Sequence, residues 1–182
     1  MGSELARHLL KSHEVTVWNR TAERAQPLVE EGASLADTPE EAVTNAEVII
    51  TSLFGPDDIR ERIIEPALIP ADVTWIDTTT VSPEAAREFA AAVDSYVHAP
   101  VVGSLGPARN GELGVYVGTP DDDRRELAMD IVEPWAGENK LIGVESAATA
   151  ALGKLLANLA LAVTAEGLLE ALQLGESEGL DS

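Results

Sequence analysis

Apolar and polar positions follow two different periods along this chain, and the period switches at short intervals. Residues 3–12 (SELARHLLKS) have helical spacing, and 14–18 (EVTVW) alternate as a strand does. Helical spacing returns over 21–31. Thr38-Pro39 opens the next helix, because threonine offers an N-cap oxygen and proline suits the first turn. AEVIITSL (46–53) predicts a buried strand, Pro56 starts a helix over 57–65, and VTWID (73–77) is a further strand. Ser82-Pro83 caps the helix PEAAREFAAAV. YVHAPVV (96–102) and GVYVG (114–118) are strands, 121–135 a helix and 139–143 a strand. From Ser146 a single helix runs toward Glu176.

Strands alternating with helices through short connections specify an α/β fold, a doubly wound and mostly parallel sheet covered on both faces. The final helix is too long for a crossover and reads as a spine leaving the sheet domain. This places a sheet domain at 1–145 and the start of a second, helical unit at 146–182. The chain opens on helix, without the strand that normally seeds such a sheet, and stops at GLDS just after the long helix. Both ends are expected to be truncations. The long helix would then leave Leu155, Leu156, Leu159, Leu168, Leu169 and Leu172 uncovered, which predicts self-association.

Composition narrows the function classes. The 182 residues hold 12 basic and 32 acidic side chains, a formal charge of −20. Such a surface repels phosphate backbones and anionic lipid, so neither nucleic acid nor membrane is an expected partner. No apolar run is expected to cross a membrane, no secretory signal opens the chain, and a cytoplasmic location is the default. The absence of cysteine removes disulfide and thiolate chemistry, and three scattered histidines predict no metal site. Arginine outnumbers lysine nine to three. That balance fits a high-salt cytoplasm as well as it fits an acidic protein from a GC-rich genome.

Three stretches carry chemistry. In a dinucleotide-binding sheet the end of the second strand meets the adenine ribose, where an acidic residue selects the free 2′-hydroxyl. Here VTVWNRTAER supplies Asn19, Arg20 and Thr21, and a guanidinium beside that ribose suits a 2′-phosphate. Alone, the stretch reads better as an ordinary strand-to-helix turn N-capped by Thr21. Of a G-x-G-x-x-G phosphate loop only Gly2 is present, in the place of the third glycine. In ALGKLLANLAL (151–161), Lys154 and Asn158 lie one turn apart on an otherwise apolar helix. A snorkelling side chain is the ordinary reading of such a lysine.

Taken together, these stretches resemble the β-hydroxyacid dehydrogenases, the superfamily of 3-hydroxyisobutyrate and 6-phosphogluconate dehydrogenases. MGSELARHLLKSHEVTVWNRT resembles the family's opening without its first strand and two glycines. IDTTTVSPE (76–84) resembles the D-x-S-T-x-x-P segment, and ALGKLLAN the G-x-x-x-K-x-x-x-N helix. HAPVVGSLGPARNGELGVYVG (98–118) resembles the substrate segment in the form found in glyoxylate and succinic semialdehyde reductases.

The resemblance implies a Rossmann-type NAD(P)-binding domain over 1–145, followed by the start of an all-helical domain that closes the cleft and forms much of a dimer interface. It implies a cofactor site of Gly2, Asn19, Arg20, Thr21, Ser52, Leu53 and Thr80, with NADP as the cofactor and NAD possible. Thr79, Val102, Gly103, Ser104 and Asn158 would face a small-molecule substrate. Lys154 would be the general acid/base in hydride transfer between nicotinamide and a small hydroxy acid, aldehyde or keto acid. Val102 stands where the family has a serine and so removes a hydroxyl from the carboxylate site; Thr79 replaces a serine and keeps its hydroxyl. Two alternatives stay open: an imine reductase, which shares the Asn-Arg-Thr turn, and a truncated, non-catalytic module for dinucleotide binding or dimerisation.

Overall fold

A computed structural model describes residues 1–180 and carries the predicted alternation through the chain. Helix α1 (Gly2–Leu9) turns Leu5 and Leu9 inward. β1 (Thr16–Val17) is followed by a 3₁₀ turn at Ala22–Arg24, and α2 (Gln26–Glu30) leads to β2 (Ser34–Leu35). The 21–31 helix is therefore broken, and β2 is a strand that the pattern did not indicate. α3 (Pro39–Val43) begins as expected, with Thr38 Oγ1 accepting the Glu41 amide at 3.2 Å. After β3 (Val48–Thr51), α4 (Pro56–Ile59) continues into a π-helical turn at Arg60–Ile64.

β4 (Thr74–Asp77) and α5 (Pro83–Ala92) follow, the latter capped by the Ser82 hydroxyl. The 96–102 strand is divided into β5 (Tyr96–His98) and β6 (Val101–Val102) on either side of Pro100, which has no amide to give to a ladder. α6 (Leu105–Asn110) is a short helix that the sequence pattern did not predict. β7 (Leu113–Gly118), α7 (Asp122–Val132), a 3₁₀ turn at Glu133–Trp135 and β8 (Ala136–Val144) complete the domain. The spine is α8 (Ala147–Ser177), N-capped by the Ser146 side chain.

The sheet is in two parts. β1 and β2 pair in parallel as a separate ribbon. The larger part runs β3-β4-β5-β7-β6, with β8 on the other side of β7; β3, β4 and β5 are parallel, while β5 and β6 meet β7 antiparallel. Among the described residues no strand bridges β1 and β3, so each keeps one unpaired edge where a central strand of a doubly wound sheet would lie.

Side-chain alternation feeds two cores. Ile76, Val97, Val115 and Val117 pack on one face with Leu5, Leu9 and Trp135. Ile49, Trp75 and Tyr96 pack on the other with Ile59, Phe89, Ala147 and Ala151. Only the first two turns of α8 share in this: Ala147, Ala150, Ala151 and Lys154 are buried, and the helix from Leu156 onward is mostly exposed.

That exposed stretch corrects one expectation. An 18-residue window of α8 reaches a mean hydropathy of 1.6 with none of it buried, so by length and composition alone this helix is apolar enough to cross a membrane.

Candidate active site

Ligands of a doubly wound sheet lie beyond the C-terminal ends of its parallel strands. Three loops leave that edge here: 52–55 after β3, 78–82 after β4 and 103–104 after β6. The start of α1 joins them, because a Cβ on Gly2 would lie 3.1 Å from Ser52 Cβ. A residue without a side chain lets the helix begin this close to the end of β3 without displacing Ser52.

The first two loops are tied together through Asp77, which is fully buried. Asp77 Oδ1 accepts from Thr51 Oγ1 at 2.8 Å and from the Thr79 amide at 3.0 Å. Oδ2 accepts from the Tyr96 hydroxyl at 3.1 Å. Since that hydroxyl gives its hydrogen to Asp77, the contact with His98 Nδ1, also 3.1 Å, makes the imidazole the donor. Burial and the adjoining Asp77 carboxylate push the Tyr96 phenol well above its ordinary pKa, so it stays protonated and donating. The Leu53 amide then donates to Thr79 Oγ1 at 3.0 Å. A network of this kind fixes loop geometry because every polar group in it is costly to leave unpaired.

The sequence-predicted residues divide accordingly. Ser52 and Thr80 are exposed at the loop tips and Leu53 is half-buried between them. Thr79 is buried and its oxygen already holds Leu53, so it builds the loop in addition to any substrate contact. Asn19, Arg20 and Thr21 are exposed on the β1–β2 ribbon, where Asn19 Oδ1 accepts the Thr21 amide at 3.0 Å and closes an Asx turn. Thr21 occupies the N-cap position without a capping side-chain bond. No acidic residue pairs with Arg20 among the described residues.

Val102 is half-buried and pairs with Gly114, whose missing side chain leaves room for it. Gly103 has φ +142°, and a Cβ there would meet Leu113 Cδ2 at 2.6 Å, so this turn accepts only glycine. Ser104 is exposed, with its hydroxyl uncommitted at the start of α6.

Lys154 lies on α8, which packs across β5, β6 and β7. A Cβ on Gly118 would lie 2.8 Å from Ala150 Cβ and would also strike the Ser146 carbonyl, so the helix start rests directly on the sheet. Lys154 is 9% exposed, and burial, with no anion among the described residues to offset it, lowers its pKa below the ordinary lysine value. Asn158, one turn on, is exposed. A cavity of about 600 Å³ lies elsewhere, beside Glu4, Arg7, His8 and Arg109. Its walls are already joined by ion pairs, and none of the residues above lines it.

The NAD binding domain of 6-phosphogluconate dehydrogenase matches residues 1–160. The chain belongs to that family. An "uncharacterized oxidoreductase" of Shewanella frigidimarina is 32% identical over the whole chain, which covers 65% of that protein. The structure of Mycobacterium tuberculosis 3-hydroxyisobutyrate dehydrogenase with L-serine superposes with a TM-score of 0.90 at 29% identity, over all of this chain and 64% of that one. A reductive aminase from Aspergillus terreus, with NADPH, cyclohexanone and allyl amine, gives 0.79 at 28% identity, over all of this chain and 64% of its own. The chain thus spans about two thirds of these proteins' length.

Within this family frame the resemblance drawn from the sequence holds, including the mostly parallel α/β sheet and the long closing helix. What sequence reasoning passed over is the Asp77 network. Its signal was there: an aspartate ending the otherwise apolar strand VTWID, where an acid is buried only with partners.

Proposed function

We propose that this chain is the cofactor-binding part of an NADP-dependent oxidoreductase that interconverts a small hydroxy acid with its aldehyde or keto acid. The observation that carries the reading is Lys154, a buried lysine with no anionic partner among the described residues, on a helix laid against the strand that leads into Gly103-Ser104. A structural lysine at such a place would be expected to pair or to reach water. A lysine whose pKa is lowered by burial is poised both to give and to take a proton.

The residues present fit a nicotinamide dinucleotide. Gly2 opens room against Ser52, and Arg20 is an exposed cation without an acidic partner among the described residues, suited to a 2′-phosphate. The Leu53–Thr79 bond holds the two loops that would flank the nicotinamide end. When bound, the cofactor supplies the hydride. This chain's part is to set the carbonyl against it: the Gly103 amide and Ser104 hydroxyl hold a carboxylate, the Lys154 ammonium gives its proton to the carbonyl oxygen, and Asn158 orients the substrate.

Likeness to the reductive aminase supports a second reading, reduction of an imine at the same site. Val102 favours it by withholding a hydroxyl from a carboxylate, whereas Lys154 with Asp77-Thr78-Thr79-Thr80 favours the hydroxy acid. Fluorescence titration with NADPH and NADH tests the cofactor assignment. NADPH binding in the micromolar range, weakened about tenfold or more by Arg20→Ala with NADH unaffected, is expected from loss of a charge-assisted contact. No binding of either nucleotide would leave only a non-catalytic role for this chain.

A further inference from the structure

β7 presents two unlike faces. Leu113, Val115 and Val117 enter the core on one side, which leaves Gly114, Tyr116 and Gly118 on the side facing α8. One ring therefore stands between two glycines on the surface that receives the helix. At Gly118 the helix start lies almost on the strand backbone, as shown by the 2.8 Å between a Cβ there and Ala150. Three residues further along α8, a Cβ on Gly153 would lie 2.9 Å from both Cε1 and Cζ of Tyr116 and 3.2 Å from Cδ1. The tyrosine ring is thus in contact with the helix backbone immediately before Lys154.

We propose that Tyr116 is the positioning residue for Lys154: its ring acts as a spacer that fixes the height and rotation of α8 above β7, and so fixes where the Lys154 ammonium is held. The role rests on reading Lys154 as the acid/base. It belongs to the ring and not to the hydroxyl, which makes no hydrogen bond among the described residues while the side chain stays half-buried. Contact with helix backbone is what a flat, rigid side chain provides, since it has few rotamers to lose. Without the ring, water enters beneath residue 153 and resolvates the Lys154 ammonium.

The small number of lysines makes this measurable without a substrate. The chain has only Lys11, Lys140 and Lys154. Reductive methylation with ¹³C-formaldehyde gives one lysine resonance for each, and Lys154→Met identifies the one at issue. In the full chain, Lys154 is expected to titrate below the ordinary lysine value. Tyr116→Phe keeps that lowered titration, and Tyr116→Ala raises it by about one unit toward the ordinary lysine value.

A second readout guards against simple unfolding. Gly153→Ala alone lowers the unfolding midpoint because its methyl meets the ring, and in the Tyr116→Ala background the same methyl is tolerated. Unchanged Lys154 titration in a folded Tyr116→Ala protein, or costs of the two substitutions that simply add, would overturn the proposal. Turnover retained by Lys154→Met would overturn the catalytic reading instead, and the titration would still report on Tyr116.

Discussion

The Leu53 amide donates to Thr79 Oγ1 at 3.0 Å, joining the loop that leaves β3 to the loop that leaves β4. The two residues are 26 apart in sequence, and through the Thr79 amide on Asp77 Oδ1 they share one buried anchor. Thr79→Val removes the acceptor while keeping the shape. It should cost about 1–3 kcal/mol in denaturant unfolding, the range for an orphaned buried donor, and should weaken NADPH binding. Thr79→Ser should restore both. Equal binding by the valine and serine variants would show that this bond does not shape the cofactor loops.

Asp77 is the larger test of the same network. Asp77→Ala strands three donors at once, the Thr51 hydroxyl, the Thr79 amide and the Tyr96 hydroxyl. A loss of about 4 kcal/mol or more is expected from that number of unpaired groups, against about 1–3 kcal/mol for Tyr96→Phe, which leaves Asp77 Oδ2 and His98 Nδ1 without their partner. Urea unfolding measures both; an Asp77→Ala protein within about 1 kcal/mol of the parent would contradict the network.

Lys154 also leaves a signature in stability. Lysine in the unfolded chain titrates near about 10.4, and burial lowers the folded value. Between the two values the unfolded state holds a proton that the folded state has released, so stability rises with pH across that window. Below it, the full cost of burying the ammonium is present. Lys154→Met removes that cost and should unfold at higher temperature than the parent at pH 7, with the gap narrowing as pH rises through the folded pKa. A gap constant from neutral pH to about 10 would show that the ammonium is well solvated.

The exposed part of α8 is expected to mediate a homo-oligomeric contact. Leu161, Leu168 and Leu172 are 62%, 60% and 45% exposed and share one stripe at i, i+7 and i+11. Burying each offers about 2 kcal/mol, enough to favour pairing of the helix with a second copy. Light scattering should show mass rising with concentration, and Leu161→Glu with Leu168→Glu should abolish the rise. A parent chain that stays monomeric at high concentration would count against this contact.

Which features were legible in the sequence depends on how local their causes are. The starts of α3 and α5 were readable because cap and proline act within four residues: Thr38 Oγ1 takes the Glu41 amide, and Ser82 Oγ takes the Ala85 amide. β2 was not, because a two-residue exposed strand exists only as the partner of β1. α6 holds a glycine and a proline in six residues and takes its place by packing on α1. Apolar patterning likewise ran 96–102 together, since it does not register the missing amide of Pro100.

At the candidate site, Lys154 and the Asn19–Thr21 turn were legible as motifs. The partners of Asp77 were not, because Thr51 and Tyr96 reach it from 26 and 19 residues away. The spacer role of Tyr116 depends on the crossing of α8 over β7, which no local pattern encodes.

Lys154 is proposed as the group that transfers the proton. The most direct test is NADPH oxidation by the parent chain and by Lys154→Ala, measured against a panel of small aldehydes and keto acids with NADPH binding followed in parallel. Turnover by the parent, reduced about 10²–10⁴-fold in the variant while NADPH binding is kept, is the predicted result. A Lys154→Ala protein that oxidises NADPH at the parent's rate would contradict it.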